Sequence, residues 1–178
     1  MPRDERSLFI LETERLLLRR QTDSDIEFLT GLWSDPEVTC HMGGPHEKDW
    51  LRSVFEESAA DPFLENYDLW PLVEKTSGLP IGHCGLLPKD VDGKDEIELN
   101  YILSPVAWGK GYAVEIGIAI QKHAFEKLGL HRLIALIDPE NEASEQVAAR
   151  IGMHLEKEIT REGGNLRRVY AIDAGSRP

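Results

Sequence analysis

Residues 105–113 read PVAWGKGYA. Gly109 and Gly111 flank Lys110, and an apolar pattern at helical spacing follows. A turn that enters a helix presents backbone N–H groups with no partner inside the helix, together with the positive end of the helix dipole. Such a turn is a cradle for phosphate. Glycine lets the main chain approach an anion with no Cβ in the way. Ala113 keeps the first helical turn slim, and Lys110 adds a positive charge. A tight turn with no ligand would use the same two glycines, so the motif counts only together with what surrounds it.

Some 30 residues further on stands DPENEASEQVAARIGM. Asn141 and Ser144 are good capping residues at the start of a helix, and both are polar groups at a helix end. The six histidines show no metal-ligand spacing, and no metal is expected. His41 and His46 lie five apart in a glycine-rich loop, where they either line a pocket or face solvent. Cys40 and Cys84 are far apart with no CxxC, which reads as two free thiols in a reducing cytoplasm.

These groups need elements to position them. LETERLLLRR predicts a first strand, and Thr22 or Asp23 caps a helix near 23–34. A second helix runs from His46 to about Ala59. DLWPLVEK, LPIGHCGLL and DEIELNYIL form a three-stranded antiparallel meander. Pro71 places the first of these at an edge or beside a bulge. The longest helix covers about 111–128 and stops at Gly129. HRLIALI is a continuous apolar strand, central and buried. A helix over about 142–151 and two strands, about 153–161 and 166–173, complete the order β-α-α-β-β-β-α-β-α-β-β. The helix between DEIELNYIL and HRLIALI permits a parallel crossover. The expectation is an α/β (α+β mixed) fold: one mixed, mostly antiparallel sheet of about seven strands, with helices on both faces, in a single domain over 1–178.

Net charge is −12, from 20 basic and 32 acidic residues. That speaks against a nucleic-acid partner, whose phosphates need a basic face. No run of 18 apolar residues predicts a membrane span, and the N-terminus lacks the order of a signal peptide. The expected location is cytoplasmic, as monomer or homodimer.

EIELNYIL, WGKGYA, HRLIALI and DPENEASEQVAARIGM occur in the order seen in the core of the GNAT family of N-acetyltransferases. The chain resembles that family from ETERLLLRR to its last hairpin, most of all the branch that contains the ribosomal-protein N-terminal acetyltransferases. The resemblance implies a GNAT acyl-CoA N-acyltransferase fold, with acetyl-CoA as cofactor and a primary amine as acceptor. Gly109, Lys110, Gly111, Tyr112 and Ala113 would hold the diphosphate of coenzyme A, with Trp108 packed in front of them. Tyr101, Ile102 and Leu103 would run beside the pantetheine arm, on a strand splayed from its neighbour, and a backbone N–H near Leu103 would face the thioester carbonyl. The family's bulge on that strand usually has Gly; Asn100 stands here and accepts positive φ. Asn141 would bond the pantetheine arm, and Ser144 would lie near the sulfur. Glu98, two residues before Asn100, is the candidate general base; as a plain strand carboxylate it would instead be solvated or salt-bridged. Proton return to the thiolate falls to Ser144, Tyr112 or Tyr170, because Glu145 to Ile151 contains no Tyr where many relatives have one. A module of the same fold that binds acyl-CoA without catalysis is the alternative.

Between Asp23 and Asp68 stand twelve acids, opposed by Lys48 and Arg52, which leaves −10 of the −12 in one stretch. In the family the two helices there wall the acceptor site. An acidic rim would steer a cationic amine inward; equally, these acids coat the solvent faces of two amphipathic helices.

Overall fold

The computed structural model describes residues 8–63 and 65–176. Thr13 breaks the expected first strand into two. Its hydroxyl accepts from the Leu16 N–H at 3.0 Å, and its own N–H donates to the Leu16 carbonyl at 2.9 Å. The result is a hairpin of β1 (Phe9–Glu12) and β2 (Leu16–Arg19). Leu16 and Leu18 are wholly buried, as their alternation with Arg15 and Arg19 requires. The other strands are β3 (Leu69–Glu74), β4 (Pro80–Val91), β5 (Lys94–Leu103), β6 (Arg132–Ile137), β7 (His154–Thr160) and β8 (Leu166–Asp173). Among the described residues they make one eight-stranded mixed sheet in the order β1-β2-β3-β4-β5-β6-β8-β7. Strands β5 and β6 pair in parallel, whereas β1–β2, β2–β3, β3–β4, β6–β8 and β7–β8 are antiparallel. Asp92 and Gly93, at φ 53° and 75°, turn β4 into β5. Pro71 sits on β3, inside the sheet between β2 and β4 rather than at an edge; the register breaks just after it, between Leu72 and Val73.

By internal packing the chain divides into two compact units. The first holds the residues up to Gly85 together with Tyr101–Tyr112. Its helices are α1 (Ile26–Ser34), the short α2 (Pro36–Thr39) and α3 (Lys48–Ala60). Leu29, Leu51 and Phe55 form their core, with Ile26, Phe28 and Trp33 against it. Arg19 clamps the buried Asp25 through two bonds, at 2.7 and 2.8 Å. Burial pushes the Asp25 carboxyl up, but hydrogen bonds from Arg19 and Thr22 outweigh it and hold it below the usual range.

His83 is the other buried titratable group of this unit. The Trp33 indole N–H donates to its Nδ1 at 3.1 Å, and Phe55 meets the ring edge-on. Its Nε2 has no hydrogen-bond partner. Burial pulls its pKa from 6.5 to about 4, against smaller opposing effects of the Leu69 backbone and Asp25. A depressed folded-state value means that the unfolded chain takes up the proton first as pH falls. The stability held above pH 6.5 is therefore lost on the way to pH 4, by about 3 kcal/mol at most. Urea melts between pH 7 and 4 should show that slope in the wild type and a flatter one in His83→Phe, whatever the variant's absolute stability.

The second unit holds Leu86–Asn100 and the chain from Ala113 on. Val91, Ile134, Ile159, Val169 and Ala171 form its core. Helix α4 (Tyr112–Glu126) reaches it after its first residue, and α5 (Glu142–Arg150) lies close by. Gly117 permits that approach, since a Cβ there would sit 3.2 Å from Ile151. Arg132 ties three strands together, reaching Glu96 at 3.1 Å and Glu156 at 2.6 Å.

Candidate active site

Gly109 and Gly111 both adopt positive φ, 72° and 79°. Each is in a backbone region that an L side chain enters only at a cost of about 1–2 kcal/mol. A Cβ built on Gly109 would meet nothing within 4 Å, so the outer face of the turn is open. The turn runs into α4, a helix of 15 residues. Two glycines in left-handed conformation, an open face and a helix N-terminus fit the diphosphate of coenzyme A. The Trp108 indole N–H donates to the Leu103 carbonyl at 2.9 Å, so Trp108 braces the end of β5 against the turn.

Below the turn lies a cluster that sequence reading missed. Arg15 Nη1 donates to the Lys110 carbonyl at 2.9 Å. The Arg15 guanidinium lies 4.5 Å from the centre of the Tyr112 ring. The Tyr112 hydroxyl donates to Glu74 at 2.6 Å, and Lys110 Nζ is 3.7 Å from the same carboxylate. Hydrogen bonds from Tyr112 above all hold the Glu74 carboxyl below its usual range. Tyr112 is thus a buried donor to Glu74.

Tyr101, Ile102 and Leu103 end β5 in the same unit, the last two buried. Gly82 makes room for them: a Cβ there would stand 2.7 Å from the Ile102 carbonyl oxygen and 2.6 Å from the Leu103 side chain. Cys84 is fully buried beside them, and burial pushes its thiol well above the usual range despite a bond to the Ile102 backbone. It is therefore a poor nucleophile.

Glu98, Ala113, Asn141 and Ser144 fall in the second unit. Strands β5 and β6 register at a single pair, Glu98 and Ile134. Two residues on, the Leu136 N–H donates to Glu98 Oε1 at 3.4 Å instead of continuing the ladder. The expected positive φ at Asn100 is not found: among the described non-glycine residues only Asp92 has one, and β5 runs unbroken through Asn100. Burial raises the Glu98 pKa; Lys89 at 3.7 Å, the Leu136 N–H and Asn100 oppose this without cancelling it. The Asn100 Oδ1 is buried with no hydrogen-bond partner.

Asn141 caps α5, its Oδ1 accepting from the Ser144 N–H at 3.1 Å. Both residues are half-buried, and the cap leaves the Asn141 amide nitrogen unused. Tyr170 is raised by burial and by its hydrogen bond to Glu145, which Arg168 also holds at 2.7 Å. Ala113 is the second residue of α4.

His46 lies between the rings of Trp33 and Trp50, 5.9 and 5.4 Å away. Several of the twelve acids build the helices around it. Asp35 caps α2, Glu47 caps α3, Asp25 meets Arg19, and Glu27 meets Arg52 at 2.9 Å. Asp23, Glu37, Asp49, Glu56, Glu57, Asp61 and Glu65 are exposed, as are Glu27 and Glu47. Among the described residues no cluster of His, Cys, Asp and Glu could hold a metal, and no helix is long and apolar enough to cross a membrane.

Known proteins match this arrangement. A sequence model of the acetyltransferase (GNAT) domain matches residues 15–154. The uncharacterised protein YkkB of Bacillus subtilis (strain 168) is 33% identical over 150 residues, which cover 84% of this chain and 87% of that protein. A GNAT-family acetyltransferase structure from Bacillus anthracis superposes with a TM-score of 0.78 at 26% identity, covering 93% of this chain and 98% of that one. The spermidine N-acetyltransferase of Vibrio cholerae, solved with CoA and spermine, shares the fold with a TM-score of 0.72 at 20% identity, covering 89% and 94%. The chain belongs to the GNAT family of acetyltransferases, enzymes that depend on acetyl-CoA.

Proposed function

We propose that this chain, acting as one N-acetyltransferase domain in the cytoplasm, moves the acetyl group of acetyl-CoA to a primary amine by direct attack on the thioester. The observation that carries the reading is the open glycine turn at the head of α4, with both glycines at positive φ. The buried, proton-retaining thiol of Cys84 supports attack without an acyl-enzyme.

The turn and Lys110 would hold the diphosphate, with Trp108 tying the turn to Leu103. Tyr101 to Leu103 would run beside the pantetheine arm, and the Asn141 amide would bond it. An amine attacks only when neutral, yet a lysine-like amine has a pKa of about 10.4 and an α-amine of about 8. Glu98 takes that proton, directly or through a water. A backbone N–H near Leu103 would face the thioester oxygen and stabilise charge there. Ser144 would relay to the departing thiolate the proton that the amine nitrogen sheds as the amide forms. Positioning supplies much of the rate.

The nine exposed acids of this stretch favour a cationic acceptor, such as a polyamine, an aminoglycoside or a basic peptide N-terminus. The last of these keeps the likeness to the ribosomal-protein branch in play, and the spermidine enzyme's fold makes the polyamine worth trying first.

The test is a thermal shift with coenzyme A, then thiol release across an amine panel. Ligand at 100 times its Kd should stabilise by about 2.7 kcal/mol, which is a rise of roughly 5–10 °C for a chain of this size. Raising salt from about 0.05 to about 0.5 M should slow the preferred cationic amine severalfold at subsaturating concentration. No thermal shift would overturn the cofactor reading. A shift without turnover on any amine would leave the non-catalytic binding module.

A further inference from the structure

The geometry points to Arg15 as a positioning residue that aims the diphosphate-binding turn by holding one peptide plane in place. This rests on the cofactor reading above and deepens it. The Lys110 carbonyl and the Gly111 N–H belong to the same planar trans peptide, so they point in opposite directions. Arg15 holds that carbonyl at 2.9 Å. The Gly111 N–H is thereby turned away from Arg15. A notional Cβ on Gly111 would be 3.6 Å from Arg15 Nη2, so the guanidinium backs this side of the turn.

The peptide needs such an anchor. Glycine follows Lys110 and glycine precedes it, both at positive φ, and glycine passes between backbone basins at little steric cost. A flip of this plane would exchange an N–H donor for a carbonyl oxygen on the ligand face, which repels phosphate. Arg15 is itself fixed. Its guanidinium stacks 4.5 Å from the Tyr112 ring, and the Tyr112 hydroxyl is held by Glu74 at 2.6 Å. Glu74, Tyr112, Arg15 and the Lys110 carbonyl therefore form one brace. Arg15 touches neither the acyl group nor the amine in this scheme. It acts through the backbone.

The test uses Arg15→Met, which keeps the apolar stem and drops the donors, and Arg15→Lys, which restores one donor. Calorimetry on the full chain should show the Kd for coenzyme A rising about tenfold in Arg15→Met, with inorganic pyrophosphate losing potency as a competitor by a similar factor. The KM for acetyl-CoA should rise with it, while kcat at saturation stays within about twofold. Turnover of S-acetylpantetheine, which lacks the diphosphate, should be unchanged. Arg15→Lys should recover most of the affinity. Unaltered binding of coenzyme A and pyrophosphate in Arg15→Met would overturn the proposal, and so would an equal loss with S-acetylpantetheine, the mark of a general structural defect. Wild-type protein that fails to bind coenzyme A would instead strike down the cofactor reading, and this brace with it.

Discussion

Glu98→Gln should lower kcat by about 10²–10⁴ at pH 7 while leaving the KM for acetyl-CoA within about twofold. The substitution is conservative in shape. Gln can still accept from the Leu136 N–H, so that contact between β5 and β6 is kept. What is lost is the ability to take a proton. The deficit should shrink as pH rises toward the pKa of the acceptor amine, because a larger share of that amine is then neutral without help. Stability should move the other way. Burial holds the Glu98 pKa above its ordinary value, so the folded state favours the protonated form. Its stabilising contribution is present at low pH and is lost as pH rises through the folded value. Gln, which carries no charge, should raise the melting temperature at pH 7–8. A slower, more stable protein is the signature of a group kept for chemistry at a cost in stability. A kcat within about threefold of wild type across pH 6–9 would show that Glu98 only bridges the two strands.

The second large effect is expected at Gly85. It pairs with Leu69 across β3 and β4. A Cβ there would lie 2.0 Å from the Asp68 carbonyl oxygen and 3.1 Å from Leu69 Cα. Both are backbone atoms, one on the residue that leads into β3 and one in β3 itself, so neither can swing aside as a side-chain tip would. Gly85→Ala must push the strands apart, and more than about 4 kcal/mol of destabilisation is expected. That is a large part of a typical stability of about 5–15 kcal/mol, and it corresponds to a fall in melting temperature of roughly 10 °C or more. Gly31→Ala is the control. Gly31 lies within α1, where a new Cβ meets nothing within 4 Å, and Ala should stabilise by about 0.5–1 kcal/mol through helix propensity. The same methyl thus gains at one glycine and breaks the fold at another. A melting temperature within about 3 °C of wild type for Gly85→Ala would refute the close approach of the two strands.

Sequence alone determined what depends on near neighbours. Gly109 and Gly111 announced a tight turn before a helix, and the structure puts both at positive φ. Asn141 and Ser144 announced a cap, and the structure joins them through one bond. Periodicity placed the longer helices and most strands because side-chain direction repeats along each element; the four-residue α2 escaped it. The hairpin at Thr13 escaped, since its hydroxyl, not its apolar pattern, ends the strand. Tertiary structure decided the rest. Arg15 and Lys110 stand 95 positions apart, Glu74 and Tyr112 38. Glycines 82 and 85 look like any strand glycine until Ile102 and Asp68 press against them. His83 became a neutral, buried base only when Trp33 and Phe55 closed over it. Asn100 was free to take positive φ and does not, and the Leu136 N–H that reaches the Glu98 carboxylate comes from 38 positions away. Local backbone preference is written in a few adjacent residues, whereas steric contact, desolvation and charge pairing depend on which distant atoms arrive at the same place.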